Sequence, residues 1–213
     1  MATATKWSNV AIAIQSALAS ADTITGITKA NPGVVSSTGH GMTDGTYAVL
    51  SIQGMHQLDD RVVRVDSPAA DSWSLEGVDT TLFDTFTAGS SQAITFGTAL
   101  TTAVSISASG GDFDFIDVTT IHDNVKRQIP GIANPSTFTF ESIWDVSDPG
   151  LVALKAASDV QAKRAIKFTF ANGQVLVFTG YIGCSLLPTG GAQEVVKTSV
   201  VITMFGKPSV YAS

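Results

Sequence analysis

Apolar and polar positions along this chain repeat mostly with a period of two, the period of half-buried strands. Val10, Ile12 and Ile14 alternate with small residues and predict a strand; Ala11 and Ala13 leave a helix open as the alternative. From Asp22 onward the texture changes to short β-branched runs at 47–52, 61–65 and 72–75. Turn chemistry separates them: Asn31-Pro32-Gly33, the glycine-rich stretch 38–45 and Asp66-Ser67-Pro68. There glycine supplies positive φ, proline fixes φ, and Asp or Asn caps locally. Runs this short, at roughly ten-residue spacing, predict a small sandwich or barrel that ends around 87–91.

A second β region follows. Val104 and Ile106 alternate with Ser105 and Ser107, and Gly110-Gly111 predicts a hairpin turn into 113–117. The stretch 119–135, with Ile129-Pro130-Gly131, reads as long and irregular, and in the run 136–144 Phe138, Phe140 and Ser142 share one face. One helix is signalled: Asp148 can cap, Pro149 takes the first helical position, and Leu151, Val152, Leu154, Ala157 and Ala162 offer an apolar stripe ending near Lys163. Asn172-Gly173 between alternating runs predicts a hairpin. The closing run 194–205 is long for a strand, as in sheets that continue from one subunit to the next. The expected fold is mainly β: a discontinuous body of residues 1–21 and 91–213 with one flanking helix, interrupted by a small β module at 22–90.

Charge sharpens that division. Residues 22–90 carry nine acids and three bases, which accounts for the whole net charge of −6; the remainder carries nine of each. An abrupt charge boundary marks a domain boundary. Charged residues make up 14% of the chain, against about 25% in an average soluble domain. Two explanations stand: a surface that uses hydroxyls in place of charges, or a surface covered by further copies of the chain. No basic run offers the clustered Lys and Arg that gripping nucleic acid requires, since Lys126-Arg127 and Lys163-Arg164 are pairs and not patches. A single cysteine, Cys184, forbids an internal disulfide and suits assembly in a reducing cytoplasm. The first seven residues lack the pattern of a secretory leader. No apolar run approaches the roughly 18 residues that a membrane span needs.

Candidate chemistry is sparse. His40 shares a glycine-rich loop with Asp44, and His56 precedes Asp59 and Asp60, but neither spacing matches a ligand set, and His122 stands apart. Cys184 has no basic neighbour or helix start to activate it, so a packed, inert thiol is expected. No Gly-x-Ser-x-Gly elbow occurs, and Gly39, Gly41 and Gly45 have the wrong spacing and context for a dinucleotide loop. No catalytic residue, cofactor or metal is therefore expected. Asp112 and Asp114 share a strand face, with Asp117 on the opposite one. They form either a solvated hairpin face over buried Phe113 and Phe115, or an acidic surface that repels DNA phosphates and lets DNA slide. Trp73 is either the core of the small module or an exposed anchor for a cell-surface glycan.

The run 118–131, a Thr-rich strand end and an Asp before the pair Lys126-Arg127 and then Pro130-Gly131, resembles the signature stretch of tail tube proteins of long-tailed bacteriophages. The resemblance continues through Trp144-Asp145, Asp148-Pro149 and its helix, Ala165 to Phe168, Asn172-Gly173, Gly180 and the close at Phe205-Gly206. It covers about 8–20 and 92–207. Residues 22–90 are similar to a small β module of phage virion proteins that is itself likened to the first catalytic-cysteine half-domain of ubiquitin-activating enzymes. The carrying residues are 24–32, 40–45 and 74–79; no cysteine lies there, so only the fold is implied. The resemblance implies a tail-tube β-sandwich or barrel whose copies form hexameric rings, join their sheets into an inner barrel and stack into the virion's tail tube. It implies as partners the chain itself, a tape-measure protein in the lumen, tail terminator and distal tail proteins, and double-stranded DNA passing without specific binding. Assembly would occur in the bacterial host cytoplasm, with no membrane insertion. The stretch 119–135, with Thr120, His122, Asn124, Lys126 and Arg127, would reach a neighbouring ring, Asp112 and Asp114 would face the lumen, and the module would decorate the exterior and be removable without preventing ring formation. The alternatives are another virion component (tail terminator, baseplate or decoration protein) and a host-surface binding module anchored by Trp73.

Overall fold

A computed structural model describes residues 6–212; the N-terminal residues read above for a leader lie, up to Thr5, outside the described residues. The elements in chain order are β1 (Ala11–Leu18), β2 (Asp22–Ile24), β3 (Gly26–Ile27), β4 (Val34–Ser36), β5 (Tyr47–Gln53), a 3-10 turn (His56–Leu58), β6 (Val62–Asp66), β7 (Ser72–Leu75), β8 (Ala88–Leu100), β9 (Ala103–Ser109), β10 (Phe113–Asp117), β11 (Gln128–Ala133), β12 (Thr137–Ile143), α1 (Pro149–Asp159), β13 (Lys163–Thr169), β14 (Val175–Cys184) and β15 (Lys197–Tyr211). The protein is mainly β, as expected. One sheet runs β3-β4-β7-β6-β5-β8-β1-β13-β14-β15-β12-β9, with β2 added on β8, and β10 pairs with β11 apart from it.

The ambiguity at Val10–Ile14 resolves to strand because β1 lies between β8 and β13. That position buries Ile12 and Ile14 on one face, whereas a helix would have had to find a core for both. The body core lies on this face. Ile12, Ile14, Ile166, Phe168, Phe178, Ile182, Val200 and Ile202 pack there with Phe140, and Leu151, Leu154 and Ala157 of α1 close it.

The helix starts where its sequence says. Asp148 accepts from the Leu151 N–H at 2.9 Å, and its other carboxylate oxygen accepts from the Thr101 hydroxyl at 2.7 Å. Gly150 lets the first turn approach β8: a Cβ there would lie 2.5 Å from the Leu100 Cα. The helix ends sooner than expected, at Asp159, because Gln161 at φ 50° turns the chain and Lys163 opens β13. Val152 faces solvent, since the buried stripe has three-residue steps through Leu151, Leu154 and Ala157.

The Asn172-Gly173 hairpin forms, with Gly173 at φ 83° and β13 and β14 in register from Lys163↔Tyr181 to Thr169↔Val175. The Gly110-Gly111 hairpin does not form as expected. β9 leaves to pair with β12, and β10 instead finds β11 inside the stretch read as irregular. β15 runs on to Tyr211, well past Phe205, because Gly206 at φ 79° absorbs a kink and returns the strand to β14.

The module has its own core around Trp73, Leu50, Met55, Leu58, Val63, Val65 and Leu75. The expected boundary at 90/91 falls inside β8, a 13-residue strand that pairs with β5 in its first half and with β1 in its second. A third apolar cluster straddles the junction: Val62, Ile94, Ala165, Val175, Val177 and Tyr211, with Tyr47, Val49 and Phe96 packed against it. Polar contacts fasten the same seam. The Asp60 carboxylate pairs with Lys163, and its carbonyl accepts from the Thr179 hydroxyl at 3.0 Å. Arg61 Nε donates to Ser209 at 3.0 Å, the Arg64 backbone N–H donates to the Tyr211 hydroxyl at 2.7 Å, and the Arg64 guanidinium lies 4.6 Å from the Tyr211 ring centre.

Candidate assembly surfaces

The strands β10 and β11 pair with each other and form an arm. Every residue of β10 is exposed, as are all of β11 except Gly131. The arm exposes Phe113, Phe115, Ile116, Ile129 and Ile132, and its tip carries Ile121, 96% exposed, and Val125. An isolated two-stranded ribbon is marginal in water, and a contiguous apolar surface of this kind marks an interaction site. The side chains that close the tip are polar. Asp123 accepts from the Thr120 N–H and hydroxyl at 3.0 and 2.9 Å and pairs with Arg127 at 3.1 Å. Asp117 accepts from the Thr119 N–H at 2.8 Å, and Thr119 Oγ1 accepts from the Arg127 N–H at 3.0 Å. Hydrogen bonds from Thr119 hold the Asp117 carboxyl, and those from Thr120 the Asp123 carboxyl, below the ordinary carboxylate range.

Thr120, His122, Asn124, Lys126 and Arg127 thus gather on one exposed tip. Thr120 and Arg127 serve its internal ties. The apolar residues around them were not singled out from the sequence. The signal was present, since Ile121, Val125, Ile129 and Ile132 sit in a stretch with no partner run for them to bury against.

Asp112 and Asp114 lie at the base of the arm. The Asp112 carbonyl accepts from the Asn134 N–H at 2.8 Å, and Asp114 Oδ1 accepts from Asn134 Nδ2 at 3.2 Å. Phe113 and Phe115 are exposed alongside them, so the expected hairpin face over two buried rings is absent.

A second surface is an edge. β9 pairs with β12 along one side, and among the described residues no strand pairs with its other side. Its seven residues include neither a charge nor a proline, the usual protections of an exposed edge. An apolar groove runs beside that edge, lined by Trp7, Val10, Ile12, Leu100, Val104 and Ile106. Trp7 closes one end against Phe170 at 5.4 Å between ring centres.

The candidates for chemistry resolve into structural roles. Of the two readings of Trp73, the core of the small module holds and the exterior anchor does not: Trp73 is wholly buried, because β7 alternates and turns Trp73 and Leu75 inward with Ser72 and Ser74 facing out. His40 is buried and holds its loop: Nδ1 accepts from the Met42 N–H at 3.1 Å, and Nε2 lies 2.9 Å from the Ala69 carbonyl. Asp59 accepts from the Ile52 N–H at 2.9 Å beside the 3-10 turn that contains His56. Among the described residues no three His, Cys, Asp or Glu side chains converge as a metal site would require. Burial pushes the Cys184 thiol up, away from the thiolate that a nucleophile needs. No described helix is long and apolar enough to cross a membrane.

What the geometry offers is an exposed apolar arm and an open strand edge, surfaces suited to further copies of the chain. No curated protein matches the chain. The family model for the phage tail tube protein, TTP, matches residues 53–213, from the last residue of β5 onward. The chain belongs to the phage tail tube protein family.

Proposed function

We propose that this chain polymerises into hexameric rings that stack as the tail tube of a long-tailed phage, enclosing a tape-measure protein during assembly and conducting DNA at infection. The observation that carries this reading is the pairing of an exposed apolar arm with an unprotected strand edge in one small chain. A monomer would leave both in water; a polymer covers both. Obligate assemblies commonly bury on the order of 2,000 Å² or more, and a charged fraction of 14% suits such coverage.

In this reading the β9 edge continues the sheet into the next subunit of a ring. The arm tip, with Thr120, His122, Asn124, Lys126 and Arg127, reaches the neighbouring ring. Asp112 and Asp114 stand at the lumen, and α1 lies outside. The body comprises residues 1–21 and 91–213, and the acidic module 22–90 projects outward, where its charge keeps a long polymer soluble. Tail terminator and distal tail proteins cap the ends, and assembly takes place in the host cytoplasm. The role is structural and uses no cofactor. Another virion role, as a terminator, baseplate or decoration protein, predicts isolated rings or monomers instead of tubes.

The test is a double substitution at the arm, Ile121→Asp with Ile132→Asp. Both side chains are exposed in the monomer, so its fold is retained. Electron microscopy is expected to show tubes from the native chain and short rings or single copies from the variant. Tubes of equal length from both would overturn the role given to the arm.

A further inference from the structure

The strand β12 joins two exposed surfaces. The arm leaves from its N-terminal end: Thr137 lies opposite Ser109, and the Gly111 N–H carries the pairing on into the arm by donating to the Asn134 carbonyl at 3.2 Å. At the other end of β12 the chain passes into Trp144, Asp145 and Val146, beside the segment 185–196 that connects β14 to β15. That segment makes one isolated bridge, Thr189 to Lys197, and no strand. Connections of roughly this length without structure of their own are uncommon and usually functional.

The segment is nevertheless pinned. Trp144 Nε1 donates to the Leu186 carbonyl at 2.8 Å, and the Trp144 N–H donates to the Val196 carbonyl at 2.9 Å. Thr189 and Lys197 each donate an N–H to the other's carbonyl at 2.8 Å. The Glu194 carboxylate accepts from the Gly191 N–H at 3.1 Å. These bonds satisfy backbone groups and leave apolar side chains outside. Leu187 and Val195 are 67% and 60% exposed, and Trp144, Val146 and Val196 are exposed with them. An apolar patch fixed in water by a pinned backbone marks a contact that the single chain does not complete.

Complementarity names the occupant. The arm exposes Ile121 and Val125 at its tip and Phe115, Ile116, Ile129 and Ile132 along its strands. At the tip Asp123 is taken by Arg127, and Lys126 is exposed with no ion pair among the described residues. The patch carries the opposite sign: Asp145 and Glu194 are exposed and likewise without an ion pair among the described residues. Complementary charges around an apolar centre fix the orientation of a contact. The two surfaces stand at opposite ends of a seven-residue strand, so the contact runs between copies. A contact between unlike surfaces repeats from copy to copy.

We propose that Trp144, Val146, Leu187, Val195 and Val196 form the socket that receives the arm tip of a second copy of this chain, with Lys126 set against Asp145 and Glu194. The inference rests on the tube reading above, in which the arm reaches the neighbouring ring; the surface that receives it there is the new element.

The test cross-links tubes that carry Val125→Cys with Val195→Cys, using a short bis-maleimide; Cys184 is buried and stays out of the reaction. Denaturing gels are expected to show ladders of three or more linked copies, because every copy supplies one arm and one socket, and each single variant is expected to show none. Tubes of Val125→Cys with Val104→Cys, at the apolar groove beside β9, are expected to stay unlinked. Links through Val104→Cys and none through Val195→Cys overturn the socket and move it to that groove. Absence of links from both pairs overturns it as well, as does equal linking by a single variant, since like surfaces would then meet. Independently, Val146→Asp with Val195→Asp alters only exposed side chains and is expected to keep the native melting temperature while shortening tubes several-fold. Tubes of native length overturn the socket and leave the tube reading intact. Absence of tubes from the native chain overturns the tube reading itself.

Discussion

At the scale of single residues, a few polar side chains hold disproportionate structure. Asp148 starts α1 and at the same time ties it to Thr101, just beyond the end of β8. Burial opposes the Asp148 charge, but hydrogen bonds from Thr101, Leu151 and Gly150 outweigh it and hold the carboxyl below its ordinary value. A depressed folded pKa contributes stability that is present above the unfolded value of about 3.9 and lost as pH falls through the folded one. Asp148→Ala is therefore expected to cost about 1–2 kcal/mol near neutral pH, with the gap to the native chain closing in strong acid; thermal melts at both pH values read this directly. Gly206 is a second such position. At φ 79° it sits where a Cβ would lie 2.7 Å from the Asp60 carbonyl, so Gly206→Ala is expected to lower the melting temperature by loosening the seam. Trp73 and His40 teach the converse. Read along the sequence, each could have been a site, but alternation in β7 and two backbone partners for the imidazole place both in the interior.

Among the elements, strands marked by alternation and by flanking turn chemistry were legible: β1, β5 to β7, β12 and the hairpin of β13 and β14 lie where those signals predict them. The arm was not. Pro130 and Gly131 interrupt β11, whose apolar residues bury against nothing in the monomer, so no local pattern distinguishes that strand from a loop. The far end of β15 was hidden for a related reason: Gly206 reads as a terminator but acts as a bend. The arm tip gives a pH prediction. Because Asp117 and Asp123 are held below the ordinary carboxylate range, their ties persist above the unfolded pKa and break as pH falls through the folded values. Hydrogen exchange of amides 118–127 in the unassembled chain is expected to quicken in acid before that of β14, and no difference between the two would contradict this.

For the whole molecule, the sequence predicts a body and an acidic insert, and two apolar clusters lie one on each side of that division. What charge and composition did not reveal is the seam, because its contacts join residues 103 to 148 positions apart, such as Asp60 with Lys163 and Arg61 with Ser209. Excising 22–90 would bare Ala165, Val175, Val177 and Tyr211 and remove the first three residues of β8. The insert is thus expected not to be removable: the excised chain should be less soluble and melt lower than the native one, and an unchanged melting temperature would show the seam to be dispensable. Joining copies through β9 and the arm is the remaining step from chain to tube. Cryo-electron microscopy of the purified, concentrated protein addresses it most directly. The account predicts hollow tubes of stacked rings in which the β9 edge pairs with a neighbouring copy, and a field of compact single copies with that edge unpaired would contradict it.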